Sequence, residues 1–385
     1  MSQAPLLAPR PTTRARTTAT TLVAIALLGA QAHAQAQVET MVTGGKTGTY
    51  FAIGNNLHDL VDSRIAVKDS AGSWSNVEEM SRTRGVSLAI VQSDVYDAFV
   101  QMRDDPAVPT ATRDSYRQLL ANLRVFMPLY PEEVHVLVRK DEPIEYIHQI
   151  ENKAIWMDLD KSGTYLTALN IYSRLFQRRP QQVPAFINPT ATGPDEGTRR
   201  RRSALMALSD PTYYAAYPRI DVMVLVGGQP LSLLQEKVPS NLKLLKWDPS
   251  HPGSAALLRH YQRAEIKQSH YPALNISGST SPTLAVNAYL ITAQFADPQR
   301  NQFIQDLAGR MCQKWSVLQT QGHPKWASLS WSPGQPLPAL ATGWRYSPLV
   351  QTPLTQCRNG TLPTTAPAAP PSACRPQDRF AGLCE

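Results

Sequence analysis

The chain has 385 residues, of which 42% are hydrophobic and 18% charged, and its formal net charge at pH 7 is +8. This length supports more than one hydrophobic core and is typical of two lobes or domains. Three arginines fall in the first 16 residues, so the rest of the chain carries 35 basic and 30 acidic residues. This small excess gives no indication of a nucleic-acid-binding protein.

The N-terminus has the composition of a secretory signal peptide. Arg10, Arg14 and Arg16 precede the apolar run Leu22–Leu28, and residues 30–36 offer overlapping A-x-A cleavage sites. The run is too short for a membrane anchor, which needs about 20 apolar residues. The sequence therefore predicts a signal peptide over residues 1–36, its removal on export, and a periplasmic location.

From residue 39 onward, short apolar strands alternate with amphipathic helices, which indicates an α/β protein with largely parallel sheets. The first series of predicted strands is Glu39–Val42, Ile65–Val67, Val86–Val91, Arg124–Leu129 and Val134–Arg139. The helices between them are predicted at Tyr50–Ser63, Asn76–Arg84, from Ser93 onward, and at Arg113–Asn122.

A second series of the same kind follows and is interpreted as another lobe inserted into the first. Its predicted strands are Ala154–Met157, Val183–Ile187, Ile220–Val226 and Leu242–Leu245, and its helices are Thr164–Gln177, Ser203–Leu208 and Leu231–Val238. The predicted strand Thr283–Thr292 is long enough to lead the chain from lobe two back to lobe one. The long helix Pro298–Leu318 carries an apolar stripe with near i, i+4 spacing, which is typical of a core helix.

These patterns predict five segments along the chain. After the leader, lobe one comprises residues 37–139 and 285–347, lobe two comprises residues 140–284, and residues 348–385 form an irregular tail rich in proline. The basic run Arg199–Arg202 is interpreted as a solvated loop, with docking to a partner or to anionic lipid as the alternative.

The four cysteines all lie in the last quarter of the chain, at Cys312, Cys357, Cys374 and Cys384. An even number in an exported protein favours two disulfides, one of them joining the tail to the long helix through Cys312. The absence of a C-x-x-C pair argues against zinc, and no metal site or cofactor is predicted.

Polar or glycine-rich clusters follow five of the predicted strands. They are Gly44–Tyr50, Gln92–Asp94, Tyr130–Glu132, Asp158–Thr164 and Gly227–Pro230. Because ligands of open α/β sheets bind beyond the carboxyl ends of the strands, these clusters predict a ligand cleft between the two lobes. The end of the first cluster looks like a P-loop, but Thr40 occupies the position where that motif needs glycine.

No catalytic motif accompanies these clusters. There is no G-x-S-x-G elbow and no H-E-x-x-H, and the histidines are scattered. A secreted enzyme that uses Asp94 or Asp160 for acid–base chemistry is the alternative, but no second catalytic group converges with either residue. The sequence therefore predicts a binding protein rather than an enzyme.

Residues 43–50, T-G-G-K-T-G-T-Y, resemble the opening motif of the TAXI family, the solute-binding subunits of TRAP transporters. Further segments resemble that family in the same order: Asn76–Arg84, Leu88–Asp94, Leu129–Glu132, Val134–Val138, Ser162–Thr164, Ile220–Pro230 and Thr283–Thr292. The resemblance covers residues 38–320. The arginine-rich insert at 195–202 and the cysteine-bearing tail depart from the family pattern.

The resemblance implies a monomeric, type II-like periplasmic binding protein with a ligand cleft between two lobes. It would capture a small organic anion, such as a dicarboxylate or the amino acid glutamate, for the membrane subunits of a TRAP-type transporter. A periplasmic sensor that presents the same cleft to a signalling receptor is the alternative. The residues expected to contact the ligand are Gly45, Thr47, Gly48, Thr49, Tyr50, Gln92, Ser93, Tyr130, Ser162, Gly163, Thr164 and Gly228.

Overall fold

The computed structural model describes residues 38–184, 187, 191–212, 219–235, 238–274, 276 and 278–357. Within these residues the chain forms a mixed α/β fold with a ten-stranded sheet, which agrees with the predicted α/β class. The prediction of largely parallel sheets is wrong, because four of the described strand pairs are parallel and five are antiparallel. The predicted signal peptide, the tail beyond Cys357, Cys374 and Cys384 lie outside the described residues. No helix in the described part of the chain combines the length and the apolar character needed to cross a bilayer.

The strands are β1 (Glu39–Val42), β2 (Ile65–Lys68), β3 (Val86–Gln92), β4 (Leu123–Arg139), β5 (Ala154–Trp156), β6 (Gln181–Gln182), β7 (Val222–Gly227), β8 (Leu242–Leu244), β9 (Gln262–Lys267) and β10 (Thr280–Ala293). The helices are α1 (Thr49–Leu60), α2 (Ser73–Arg82), α3 (Val95–Asp104), α4 (Thr110–Asn122), α5 (Gly163–Phe176), α6 (Glu196–Ser209), α7 (Ser232–Gln235), α8 (Pro252–Ala256), α9 (Pro298–Gln321), α10 (Pro324–Ala327) and α11 (Pro348–Thr355).

Two long antiparallel strands, β4 and β10, pass through both lobes and connect them. In lobe one the strand order is β2-β1-β3-β10-β4, with β1 parallel to β2 and β3. In lobe two, β4 continues into the order β4-β7-β5-β6, with β7 antiparallel to β4 and parallel to β5. Lobe one also contains α1–α4 and α9–α11, and lobe two contains β8, β9 and α5–α8.

Each lobe has its own hydrophobic core, because helices cover the apolar faces of the part of the sheet that lies in that lobe. In lobe one, α1 and α9 pack on the sheet through residues such as Leu57, Leu88 and Leu307. The apolar stripe predicted for the long helix is confirmed, since Phe303, Ile304, Leu307, Met311 and Trp315 are all buried. The core of lobe two is built around β5, β7 and α5, with Ile155 and Tyr172 among its members.

The two adjacent strands predicted at Arg124–Leu129 and Val134–Arg139 form one continuous strand, β4. Proline cannot donate a hydrogen bond to a neighbouring strand, so within a strand it is expected where the ladder is irregular. In the structure, Pro131 lies opposite Asn287 of β10, beside a register shift in the ladder. The irregularity accommodates the proline without ending the strand.

Two further predictions in lobe two are corrected, and one strand was missed. Helix α6 begins at Glu196 and contains Arg199–Arg202, so this run is not a loop. Its N-cap is Asp195, whose side chain accepts a hydrogen bond from the backbone N–H of Thr198. Val183, Pro184 and Ile187 of the predicted strand Val183–Ile187 do not belong to a strand, its other two residues lie outside the described residues, and the two-residue strand β6 precedes them. The strand β9 was not predicted.

The C-terminal segment is more ordered than its composition suggested. Residues Pro348–Thr355 form α11, which packs against α9, so the prediction of an irregular tail is wrong for these eight residues. Cys357 forms a disulfide with Cys312 of α9, which confirms the predicted link between the long helix and the tail.

Candidate ligand-binding cleft

A cavity of about 480 Å³ lies between the two lobes. Its walls come from the loop after β1, the first turns of α1, α2 and α5, and the segment from β7 to α7. Nine of the twelve predicted contact residues line it: Gly45, Thr47, Gly48, Thr49, Tyr50, Gln92, Ser162, Gly163 and Thr164. The sequence clusters that follow successive strands are therefore brought together in space.

The other three predicted residues lie behind the cavity wall. Ser93 is held by its backbone, which donates to the carbonyl of Asn287 and accepts from the indole N–H of Trp344. The buried ring of Tyr130 packs against Gly228, where an added Cβ would approach Tyr130 Cε2 to 2.8 Å. Tyr130 and Gly228 thus support the cavity without lining it.

Three helix N-termini from both lobes converge on the cavity. Helix α1 begins after Gly48 and α2 after Gly72, and neither N-cap residue makes a side-chain capping hydrogen bond. Helix α5 is capped by Ser162, whose hydroxyl accepts from the backbone N–H of Tyr165. The first N–H groups of a helix carry partial positive charge, so this arrangement favours a negatively charged group in the cavity.

A hydrogen-bonded network on lobe one centres on Glu132, which the sequence analysis did not select. Its Oε2 atom accepts from Gln92 Nε2 at 2.7 Å and from the hydroxyl of Tyr50 at 3.1 Å. Burial raises the pKa of Glu132 to about 8, although both hydrogen bonds oppose the shift. The carboxyl group therefore holds a proton at neutral pH and can act as a donor.

An ion pair from lobe two forms another part of the wall. Asp158 follows β5 with a positive φ of 71°, and its Oδ2 accepts from Nε and Nη2 of Arg201 at 3.0 and 2.7 Å. Arg201 belongs to the basic run, yet its side chain is only 22% exposed, so the prediction that the run is solvated is wrong at this position. Both residues line the cavity.

The segment from β7 to α7 supplies an aliphatic wall. Its apolar members that line the cavity are Leu225, Val226, Pro230, Leu231 and Leu233. Two hydroxyls hold this segment to the glycine loop of lobe one. Thr49 Oγ1 donates to the carbonyl of Gly228 at 3.3 Å, and Ser232 Oγ donates to the carbonyl of Thr47 at 3.0 Å.

Further contacts join the two lobes around the cavity. The backbone N–H of Lys46 donates to Asp195 Oδ2 at 3.0 Å, and the hydroxyls of Thr47 and Thr198 are hydrogen-bonded at 2.8 Å. Away from the cavity wall, Asp94 of lobe one accepts from Thr167 and Tyr261 of lobe two at 2.8 and 3.1 Å. The structure thus has the lobes in contact on several sides of the cavity.

The two aspartates considered for acid–base chemistry do not line the cavity. Asp94 is buried between the lobes, and burial raises its pKa to about 6. The exposed Asp160 accepts from Gln182 at 3.2 Å. In the described part of the chain, no group of three or more His, Cys, Asp or Glu side chains is placed to hold a metal ion.

The two lobes, the crossing strands and the polar cleft define the architecture of a type II-like periplasmic binding protein. Residues 41–192, which include the glycine loop, Gln92, Glu132 and the start of α5, match the NMT1-like family. The matched segment thus contributes residues to the cavity from both lobes.

Several solved structures have a similar backbone arrangement. The substrate-binding protein of an amino acid ABC transporter shares 12% identity, with 74% of this chain and 99% of that chain covered and a TM-score of 0.38. The arginine-, lysine-, histidine-binding protein ArtJ from Geobacillus stearothermophilus shares 9%, covering 76% and 96%, with a TM-score of 0.38. The CcmR regulatory domain of Synechocystis PCC6803 shares 14%, covering 70% and 94%, with a TM-score of 0.36.

Proposed function

We propose that this protein is a periplasmic solute-binding protein that captures a small organic anion in the cleft. It then delivers the anion to the membrane subunits of a TRAP-type transporter. The observation that carries the proposal is the convergence of the N-termini of α1, α2 and α5 with Gln92 and Glu132 on one cavity. The class of ligand includes dicarboxylates and amino acids, since both carry at least one carboxylate.

A carboxylate suits the donors on the walls of the cleft. The first N–H groups of α1 and α2 are free of side-chain caps and carry the positive ends of the helix dipoles. Glu132 adds a further donor when protonated, because the described residues offer its Oε1 atom no hydrogen-bond partner while Oε2 is held by Gln92 and Tyr50. These groups recognise an anion without a free basic side chain.

Binding and closure are coupled because the donors belong to different lobes. The first turns of α1 and α2 belong to lobe one and the first turn of α5 to lobe two, so the ligand contacts all three only when the lobes meet. A ligand that favours the closed form in this way shifts the population toward it. The closed form is the one that a transporter would distinguish from the empty protein.

A thermal-shift screen of organic acids and amino acids tests the proposal, followed by calorimetry on the best ligand. A ligand at a hundredfold excess over its Kd should stabilise the folded state by about 2.7 kcal/mol. The variant Gln92→Ala should weaken binding at least tenfold, because it removes a hydrogen bond to Glu132 within the cavity wall. Gln101→Ala, at an exposed site on α3, is the matched control and should bind as the wild type does.

Ser162→Ala is a less selective probe. The serine hydroxyl caps α5, so its loss should reduce the stability of the unliganded protein by roughly 1 kcal/mol as well. If no carboxylate-bearing compound stabilises the protein, or if Gln92→Ala and Gln101→Ala bind a ligand equally well, the proposed site is wrong.

Export and transport need separate experiments. Intact mass of the periplasmic protein should show cleavage between Ala34 and Gln37. Uptake of the identified ligand into proteoliposomes that contain the membrane subunits of a TRAP-type transporter from the same organism should require both the protein and an ion gradient. Uptake that depends on ATP instead would contradict the TRAP assignment and leave the binding function intact.

A further inference from the structure

The charges on the cavity wall are closely balanced. Arg201 is the single Lys or Arg side chain among the described residues that line the cavity. Its charge is compensated by Asp158, which receives hydrogen bonds from both Nε and Nη2. Asp195 lies near the same guanidinium group, since an added Cβ on Gly45 would lie 3.3 Å from Arg201 Nη1 and 3.6 Å from the Asp195 carboxylate oxygens.

The carboxylate of Asp158 also has an oxygen atom without a hydrogen-bond partner among the described residues. Asp158 is 3% exposed, and its Oδ1 atom is buried with no hydrogen-bond partner among the described residues. If a ligand placed a second carboxylate near Arg201, that group would find the guanidinium charge already neutralised by the carboxylate of Asp158. Burying a charge without a free counter-charge is unfavourable, and like charges at short distance add to that cost.

The wall from β7 to α7 is apolar, in contrast to the charged wall formed by Asp158 and Arg201. Leu225, Val226, Leu231 and Leu233 present aliphatic side chains to the cavity. Their contact with a methylene or methyl group of a ligand removes apolar surface from water, whereas their contact with an ionised group would strip that group of its hydration.

Resting on the proposed function, we propose that the cleft selects carboxylic acids that carry a single ionised carboxylate and an aliphatic body, and discriminates against dicarboxylates. The carboxylate of the ligand contacts the helix N-termini and the hydrogen-bonded pair formed by Gln92 and Glu132. The aliphatic body lies against Leu225–Leu233. The Asp158–Arg201 pair acts as the discriminating element, because it neutralises the cation that a second carboxylate would need.

Matched pairs of ligands provide the test. Hexanoate is compared with glutarate, 2-oxohexanoate with 2-oxoglutarate, and norleucine with glutamate, since each pair exchanges a terminal carboxylate for an alkyl end. In at least one pair the singly charged or zwitterionic member should bind with a Kd at least tenfold lower, as measured by calorimetry at pH 7. Tighter binding of the dicarboxylate members overturns this inference while supporting the proposed function. Failure of all six compounds counts against the proposed function itself.

A variant tests the discriminating element directly. Asp158→Asn removes the compensating charge, and asparagine tolerates the positive φ at this position. It should improve the binding of the dicarboxylate relative to its matched partner by at least tenfold, because Arg201 becomes available to the second carboxylate. Asp160→Asn is the matched control, since it removes the same charge from an exposed neighbour outside the cavity and should leave the ratio unchanged.

A second pair of variants keeps the inference open to refutation if Asp158→Asn fails to fold. Leu233→Lys adds a cation to the aliphatic wall, and Leu233→Gln adds a neutral polar group of similar length. The lysine variant should shift the preference toward the dicarboxylate at least tenfold, and the glutamine variant should not. Equal ratios in wild type and Leu233→Lys would overturn the assignment of selectivity to charge balance, whether or not Asp158→Asn folds.

Discussion

Gly163 at the start of α5 lies in direct contact with the side chain of Gln92 at the end of β3. A Cβ atom on Gly163 would lie 2.0 Å from Gln92 Oε1 and 2.7 Å from Ser73 Oγ. Gly163 belongs to lobe two, whereas Gln92 and Ser73 belong to lobe one. The two lobes therefore approach each other here at a distance that only glycine permits.

The substitution Gly163→Ala should impair ligand binding by at least tenfold. An added methyl group must either displace the Gln92 side chain from Glu132 and Thr167 or hold the lobes apart. Alanine is otherwise favourable in the first turn of a helix, so the unliganded protein should keep its stability to within about 1 kcal/mol. Calorimetry for the affinity and urea unfolding for the stability give the two measurements.

A double-mutant cycle with Gln92→Ala is the control for this prediction. If the methyl group acts through Gln92, its effect on affinity should be much smaller in the Gln92→Ala background, since the nearest clashing atoms are then absent. Fully additive effects of the two substitutions would show that position 163 acts by another route.

The stability of the unliganded protein should depend on the protonation of Glu132. Its pKa is about 8 in the folded state, above the ordinary value of 4.5, mainly because the carboxyl is buried. The folded state therefore keeps a proton that the unfolded state releases. The stabilisation is fully present below pH 4.5 and is lost as the pH rises through about 8, at up to ~1.4 kcal/mol per pH unit.

Urea unfolding of wild type and Glu132→Gln between pH 6.5 and 8 isolates this effect. Glutamine can accept the hydrogen bonds from Gln92 and Tyr50 but cannot ionise. Buried His135, whose pKa is lowered to about 4, and Asp94, at about 6, change their charge below this range in the folded state. The difference in unfolding free energy should grow with pH in favour of the variant, and parallel pH profiles would contradict the raised pKa.

Much of lobe one could be predicted because its signals are local. The spacing of apolar residues places β1, β3 and α9 at or near their observed bounds, and the glycine-rich sequence after β1 marks the loop that lines the cavity. The strand Thr283–Thr292 was also predicted from its run of apolar and β-branched residues. In the structure these residues are buried in β10.

The discriminating groups of the cleft could not be found in this way because they depend on tertiary contacts. Four successive arginines have the pattern of a solvated segment, and only the packing of α6 places Arg201 beside Asp158, 43 residues away. Glu132 lies in a recognised cluster, but its protonation follows from burial in the folded state. Tyr130 was selected from the same cluster because it follows a predicted strand and the family resemblance implied a ligand contact, but the continuous strand β4 places it behind the wall.

Loss of the disulfide Cys312–Cys357 should reduce stability without changing ligand affinity. It closes a loop with a sequence separation of 45 and fixes α11 against α9, on lobe one and away from the cavity lining. Cys312→Ala with Cys357→Ala should lower the unfolding free energy by about 2–4 kcal/mol. Calorimetric affinity for the identified ligand should remain within a factor of two or so. A large loss of affinity would show that α11 contributes to the cleft.

A buried ion pair should hold the short helix α10 against the crossing strand β4. Lys325 Nζ lies 3.3 Å from Glu133 Oε1, and both side chains are less than one-tenth exposed. The other carboxylate oxygen of Glu133 accepts from the backbone N–H of Gln229, just before α7. Glu133 thus connects the C-terminal segment of lobe one with the loop that carries the aliphatic wall.

Lys325→Met should destabilise the protein by about 3–5 kcal/mol, because it leaves the Glu133 carboxylate buried without its cation. Methionine retains most of the length of the lysine side chain, so the loss reports the charge more than the packing. Adding Glu133→Gln should recover most of the lost stability, since the amide oxygen can still accept from Gln229 and no unpaired charge remains. Melting temperature and urea unfolding of the wild type and the two variants measure this. If the double variant is no more stable than Lys325→Met alone, the packing of the lysine stem against Tyr130 and Gly228, rather than the ion pair, fixes α10.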